Sequence, residues 1–159
     1  MERISFKEIP NNVLEKLIGL ETYINNSKLD ITLLELMRLR VAQINGCAYC
    51  VDMHYKELKN LGETDLRLST LVVWEETNFF TDKERAVLRF TEVLTTLNGK
   101  PISNAQYNDL SSFFINDEII TLTLAIAQIN TWTRLMKTFQ IEAGKYKVNY
   151  KKHRYLNIF

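Results

Sequence analysis

Apolar residues return at helical spacing along almost the whole chain and alternate in a strand-like way almost nowhere, so the pattern predicts an all-α fold. Sparse punctuation agrees, with five glycines and two prolines in 159 residues. Pro10 followed by Val13, Leu14, Leu17, Ile18 and Ile24 gives an amphipathic first helix ending near Asn25, Asn26 and Ser27. A second helix runs from about Asp30 or Thr32 to Asn45, where Asn45-Gly46 stops it. The third starts near Cys47, carries His54 and Leu58, and ends at Gly62; the fourth covers Thr64 to about Trp74. Thr81-Asp-Lys-Glu84 and Ser103-Asn-Ala-Gln106 read as capping boxes, opening a fifth helix to about Leu97 and a sixth to about Phe114. The last and longest begins near Asn116 or Asp117, reaches about Glu142 and is closed by Gly144.

The pattern also echoes itself. Val41-Ala-Gln-Ile-Asn45 recurs as Ile126-Ala-Gln-Ile-Asn130, and the same offset matches Leu34 to Ile119, Met37 to Leu122 and Leu39 to Leu124. This predicts an internal helical pseudo-repeat. In that register Cys47 aligns with Trp132, Cys50 with Leu135 and His54 with Phe139, so one copy holds reactive groups where the other holds bulk.

An apolar content of 46% at this length fits one compact domain with its own core, read as residues 1–144. Residues 145–159 form a basic, aromatic tail with five Lys or Arg, no acid, and Tyr146, Tyr150, Tyr155 and Phe159. The tail reads as a solvated or subunit-clasping arm rather than a nucleic-acid site, because no other basic patch supports one. Twenty basic against nineteen acidic residues leave +1, so no global field favours nucleic acid or an acidic surface. The first residues lack the apolar core of a signal peptide, and no apolar run is long enough to span a bilayer. A cytosolic protein without membrane or nucleic-acid partners is the expectation. In that reducing compartment two cysteines three apart point to redox catalysis or metal binding more than to a structural disulfide.

Those two cysteines, Cys47 and Cys50, are the only ones in the chain, and His54 follows four residues later. At 100° per residue Cys50 lies roughly 60° and His54 roughly 20° from Cys47 around a helix, so the three share one face. If the helices flanking Asn45-Gly46 pack antiparallel, Glu35 and His54 stand at similar heights, about 15 and 12 Å from the turn. Helix rotation decides whether they face each other. A thiolate would be favoured by the helix N-terminus, the neighbouring thiol and His54, with Glu35 holding the imidazole tautomer. The chemistry then expected is attack by Cys50, deprotonated through His54, on a peroxide oxygen, and resolution of the sulfenic acid by Cys47 as a disulfide. Two positions three apart on a helix lie about 5 Å between Cα atoms, within disulfide reach. No cofactor is called for.

Plainer readings stand beside these. Glu35 completes a Thr32-x-x-Glu35 capping box, and a lone His on a helix often only packs and hydrogen-bonds. Trp74, Phe79, Phe80 and Trp132 read as core or pocket wall. Zinc on Cys47, Cys50 and His54 is the main chemical rival, with Asp52 or His153 as arbitrary choices for a fourth ligand. Haem attachment is excluded because Val51, not His, follows Cys50.

The run Arg38-Leu-Arg-Val-Ala-Gln-Ile-Asn-Gly-Cys-Ala-Tyr-Cys-Val-Asp-Met-His54, with Glu35 twelve before Cys47, resembles the signature of the alkylhydroperoxidase D family. That family lies within the carboxymuconolactone decarboxylase-like superfamily. The likeness continues through Lys56-Glu57, Gly62-Glu63-Thr64, the segment from Trp74 to Thr81, Glu84-Arg85-Ala86 and Ile129-Asn-Thr-Trp-Thr-Arg-Leu135. The resemblance implies an alkylhydroperoxidase D-like helical bundle that assembles as dimers, trimers or hexamers. It puts Cys50 in the peroxide-attacking place, Cys47 in the resolving place, and Glu35 and His54 in the proton relay. It also implies a hydroperoxide substrate and an external dithiol reductant of lipoyl type, with a peroxiredoxin as an oxidised partner. Relatives that decarboxylate a lactone lack the paired cysteines, so the pair here argues against that activity. One departure is visible: the family's usual pattern has His directly before the second cysteine, where this chain has Tyr49.

Three functions are therefore carried forward: a thiol peroxidase for organic hydroperoxides, a general protein disulfide reductase, and a non-enzymatic redox-sensing or zinc-binding oligomer.

Overall fold

The computed structural model describes residues 2–148, which form seven α-helices and no strand. A short 3₁₀ turn, Phe6–Glu8, precedes α1 (Asn11–Asn25), α2 (Ile31–Ile44) and α3 (Ala48–Asn60). Then come α4 (Asp65–Thr70), a 3₁₀ run Leu71–Glu76, α5 (Asp82–Thr95), α6 (Asn104–Ser111) and α7 (Asn116–Phe139). The tail residues Tyr150, His153, Tyr155 and Phe159 lie outside the described residues.

The organising element is α2, buried at every position from Leu33 to Leu39 and again at Val41 and Ala42. A helix apolar on nearly all sides is stable only when surrounded, and α3, α5 and α7 pack around this one. One side, with Leu34, Met37 and Val41, joins a large core shared with α1, α5, α6 and α7 and including both cysteines. The other, with Leu36 and Leu39, meets Leu58, Leu68, Leu71, Trp74, Phe80 and Leu88. Each such leucine contributes about 1.5–3 kcal/mol of apolar burial, so the chain spends its best core-forming helix on positioning what α2 carries. The repeat is spatial too: α2 and α7 begin one repeat offset apart and pack directly on each other.

The capping boxes at Thr81 and Ser103 are present, each with its reciprocal pair of hydrogen bonds. The start of α2 differs from the Thr32 reading. Asp30 is the cap, its Oδ1 accepting from the Leu33 N–H at 2.9 Å, which leaves Glu35 to turn inward. The helix expected from Thr64 to Trp74 breaks at Thr70 into 3₁₀ geometry, with non-helical angles at Val73, while Trp74 turns inward and bonds Glu92 at 2.7 Å. The last helix stops at Phe139 rather than near Glu142. Gln140 takes a left-handed conformation (φ 57°) and the Ile141 N–H returns to the Met136 carbonyl at 3.2 Å, so the chain turns before Gly144. Phe79, read as core or pocket wall, is 40% exposed, whereas Trp74, Phe80 and Trp132 are buried.

Candidate active site

The site begins with how α2 ends. The Gly46 N–H bonds the Gln43 carbonyl at 3.1 Å and the Cys47 N–H bonds the Ala42 carbonyl at 3.0 Å, the paired bonds of a Schellman turn. Gly46 holds φ +60°, where a side chain would cost about 1 kcal/mol or more. Lys137 on α7 locks the turn by donating to the Asn45 carbonyl at 2.6 Å. The chain is thereby swung so that Cys47 becomes the N-cap of α3, its sulfur accepting from the Cys50 N–H at 3.4 Å. Cys47 and Cys50 are joined as a disulfide across 5.4 Å between Cα atoms, and both are almost wholly buried.

Across the turn, α2 and α3 bring Glu35 and His54 face to face. His54 Nδ1 lies 2.7 Å from Glu35 Oε2, and Arg38 Nη1 donates to Glu35 Oε1 at 2.6 Å. All three side chains are essentially inaccessible to solvent. Arg38 also reaches Asn25 Oδ1 at 2.7 Å, tying α2 to the end of α1. Burial opposes ionisation of Glu35 most strongly, but the charges and hydrogen bonds of His54 and Arg38 outweigh it and hold its carboxyl below the ordinary value. In the neutral form of the imidazole, an ionised Glu35 accepts the Nδ1 proton and the lone pair falls on Nε2. That Nε2 is buried without a hydrogen-bond partner among the described residues.

The His54 side chain borders a pocket that Cys50, Tyr49 and Met53 also line from α3. Ile129, Trp132 and Met136 wall it from α7, and Phe6 covers it from the N-terminal turn with its ring 5.7 Å from that of Tyr49. Burial, with a smaller push from Asp52, raises the Tyr49 hydroxyl to about 12. Where the usual pattern has an imidazole, this chain thus has a neutral wall that does not titrate near pH 7.

Sequence reasoning missed several members of the site. Glu21 on α1 lines the same pocket, and its Oε2 accepts from Gln128 Nε2 of α7 at 2.9 Å. A signal was available, since Glu21 interrupts the apolar stripe Leu14, Leu17 and Ile24 at the spacing that faces inward. Burial, reinforced by the charge of Glu35 and opposed by Arg38 and His54, lifts the Glu21 carboxyl above its ordinary value. Glu57, buried one turn beyond His54, accepts from the Tyr146 hydroxyl. The Tyr146 carbonyl takes Lys56 Nζ at 2.9 Å, so the described start of the tail lies along α3. Among the described residues no group of three or more His, Cys, Asp or Glu is arranged to hold a metal ion. Asp52 is committed to Lys56 at 2.7 Å and to the Gly144 N–H at 3.0 Å; His153 is outside the described residues. No single described helix is long and apolar enough to cross a membrane.

Known proteins share this architecture. The model of the Carboxymuconolactone decarboxylase family matches residues 12–93. The uncharacterized protein YdfG of Bacillus subtilis (strain 168) is 33% identical over 134 residues, covering 84% of this chain and 91% of YdfG. ATU0492 from Agrobacterium tumefaciens, a protein of unknown function named as a candidate antioxidant defence protein AhpD, superposes with a TM-score of 0.86 at 31% identity. That match spans 92% of this chain and all of ATU0492. The debrominase Bmp8 has the same fold at 15% identity, with a TM-score of 0.75 over 84% of this chain and 72% of its own.

Proposed function

The chain belongs to the carboxymuconolactone decarboxylase family, and from that premise we propose that it is a thiol-dependent peroxidase reducing organic hydroperoxides through Cys50 and Cys47. The observation that carries the reading is the orientation of His54. With Nδ1 committed to Glu35, Nε2 is left without a hydrogen-bond partner among the described residues, on a side chain that lines the same pocket as Cys50.

In the reduced protein Nε2 takes the Cys50 proton, a positioned base of the kind worth about 10²–10⁴-fold in rate. The imidazolium is then stabilised by the Glu35 carboxylate. The Cys50 thiolate attacks the terminal peroxide oxygen, the O–O bond breaks, and the sulfur is left as sulfenic acid. Cys47, sitting at the N-terminus of α3 where a thiolate is favoured, attacks that sulfur, expels water and closes the disulfide present in the structure. An external dithiol returns the pair to thiols.

Burial separates this reading from a general protein disulfide reductase. Both cysteines are 2% exposed, beside a pocket that Phe6 and Tyr49 help enclose, which favours a small hydroperoxide over the bulky disulfide of a folded protein. The same argument favours a slender dithiol arm as the reductant.

The test is stopped-flow mixing of reduced protein with cumene hydroperoxide, alongside Cys50→Ser and Cys47→Ser. Wild type should react orders of magnitude faster than a free thiol, Cys50→Ser should not react, and Cys47→Ser should stop at a sulfenic acid trapped by dimedone. A wild-type rate equal to that of a free thiol sinks the proposal.

A further inference from the structure

The dithiol chemistry leaves one pocket carboxyl unused. Glu21 is 5% exposed and borders the same cavity as Cys50 and His54, and its hydrogen-bond partner is the neutral amide of Gln128. Glu35, on the neighbouring α2, is instead gripped by two basic side chains, Arg38 and His54. Two buried carboxyls are thus given different environments: one is hydrogen-bonded by two basic side chains, while the other bonds a neutral amide and feels Arg38 and His54 only through space. Environments that push a pair of carboxyls apart are how a protein assigns an acid and a base within one site.

We propose that Glu21 is the acid that protonates the departing alkoxide, a further catalytic residue whose role rests on the peroxidase reading of this pocket. When the thiolate attacks, the electrons of the O–O bond pass to the distal oxygen, and an alkoxide is a poor leaving group unless a proton meets it. His54 has just taken the Cys50 proton and is no longer free to donate the second one without losing the first. Glu21 supplies the second proton, leaving R–OH and a Glu21 carboxylate that the nearby Arg38 and protonated His54 stabilise. Once Cys47 has displaced water from the sulfenic acid, His54 gives up its proton and Glu21 regains one through solvent. The sum is one hydroperoxide and two thiols converted to an alcohol, water and a disulfide. The rise of the Glu21 carboxyl above its ordinary value supports the protonated starting state.

The test compares two kinds of leaving group in the reduced protein. Cumene hydroperoxide must expel an alkoxide, whereas peracetic acid expels acetate, which needs no proton. Glu21→Gln keeps the shape and the oxygen that accepts from Gln128 but removes the acid. It should lower the second-order rate for cumene hydroperoxide by about 10²-fold while changing that for peracetic acid by less than about threefold. Equal losses on both would make Glu21 a packing residue, and no loss on either would hand the proton to His54 or water; each outcome overturns the inference. Should the variant fold poorly, the wild type itself decides. Its rates across a series of alkyl hydroperoxides should depend only shallowly on leaving-group acidity, and a steep dependence overturns the inference. A wild type no faster than a free thiol with either oxidant removes the peroxidase reading itself, a result distinguishable from the Glu21→Gln pattern.

Discussion

Asn45 donates from Nδ2 to Oδ1 of Asn130 at 2.9 Å, so two residues holding the same place in the two copies of the internal repeat are hydrogen-bonded to each other. Asn45 also reaches Thr133 Oγ1 at 3.0 Å. The contact pins the turn before Cys47 to α7. Asn130→Ala should therefore lower stability by about 1–2 kcal/mol, seen as a lower urea midpoint at unchanged slope. An unmoved midpoint would mean that Lys137 and Gly46 hold the turn without the pair.

Glu35→Gln should do two kinds of damage. It leaves Arg38 buried without its carboxylate, a loss of about 3–5 kcal/mol at neutral pH. It also removes the acceptor that orients His54, so alkylation of reduced Cys50 should shift to higher pH. Because the Glu35 carboxyl lies below its ordinary value of 4.5, its stabilisation is present above 4.5 and lost as pH falls through the folded value. The variant and wild type should converge in acid. A constant gap across pH would show that Glu35 is not ionised in the folded protein.

Glu21 should behave with the opposite sign. A carboxyl raised above 4.5 by burial binds its proton more tightly folded than unfolded, so its stabilisation is complete below 4.5 and disappears as pH rises through the folded value. The groups acting on it are Glu35 and Arg38 from α2, His54 from α3 and Gln128 from α7. Relative to wild type, Glu21→Gln should gain thermal stability as pH is raised from 4 toward 8. A variant-minus-wild-type melting difference that falls over that range contradicts a protonated Glu21.

Much of this arrangement was legible along the chain because it is local. The CxxC pair, His54 on the same helical face, the capping boxes at Thr81 and Ser103 and the glycine stop at Gly46 all depend on residues within a turn or two of each other. What escaped depends on how one helix is rotated against another. Spacing put Glu35 and His54 at matching heights but could not say that they meet. The roles of Arg38 and Gln128 likewise depend on partners brought by other helices. The stop at Gln140 went unseen because glutamine seldom takes a left-handed conformation. Phe79 misled because an aromatic beside a buried Phe80 reads as core when the turn between them is unknown.

Asp30 and Thr32 give a clean test of the competing helix starts. Asp30→Ala should cost about 1 kcal/mol by removing the oxygen that caps the Leu33 N–H. Thr32→Ala should change stability by less than about 0.5 kcal/mol. The reverse ranking in thermal melts would restore the Thr32 cap.

Phe6 reaches the pocket from the N-terminal turn, which is held by the Arg3 N–H donating to the Phe139 carbonyl at 2.8 Å. Phe6→Ala should accelerate alkylation of reduced Cys50 by iodoacetamide severalfold and relax discrimination against bulky hydroperoxides. Unchanged alkylation would show that entry does not pass this residue.

The pocket takes its walls from both ends of the chain, with Phe6 and Glu21 on one side and Gln128, Ile129, Trp132 and Met136 on the other. During synthesis the cysteines therefore emerge roughly eighty residues ahead of the helix that encloses them, an interval on the order of ten seconds at ordinary translation rates. Throughout it the dithiol lacks the wall that Ile129, Trp132 and Met136 give it in the finished fold. The wall that α7 gives the pocket is therefore the last part of the site to be made.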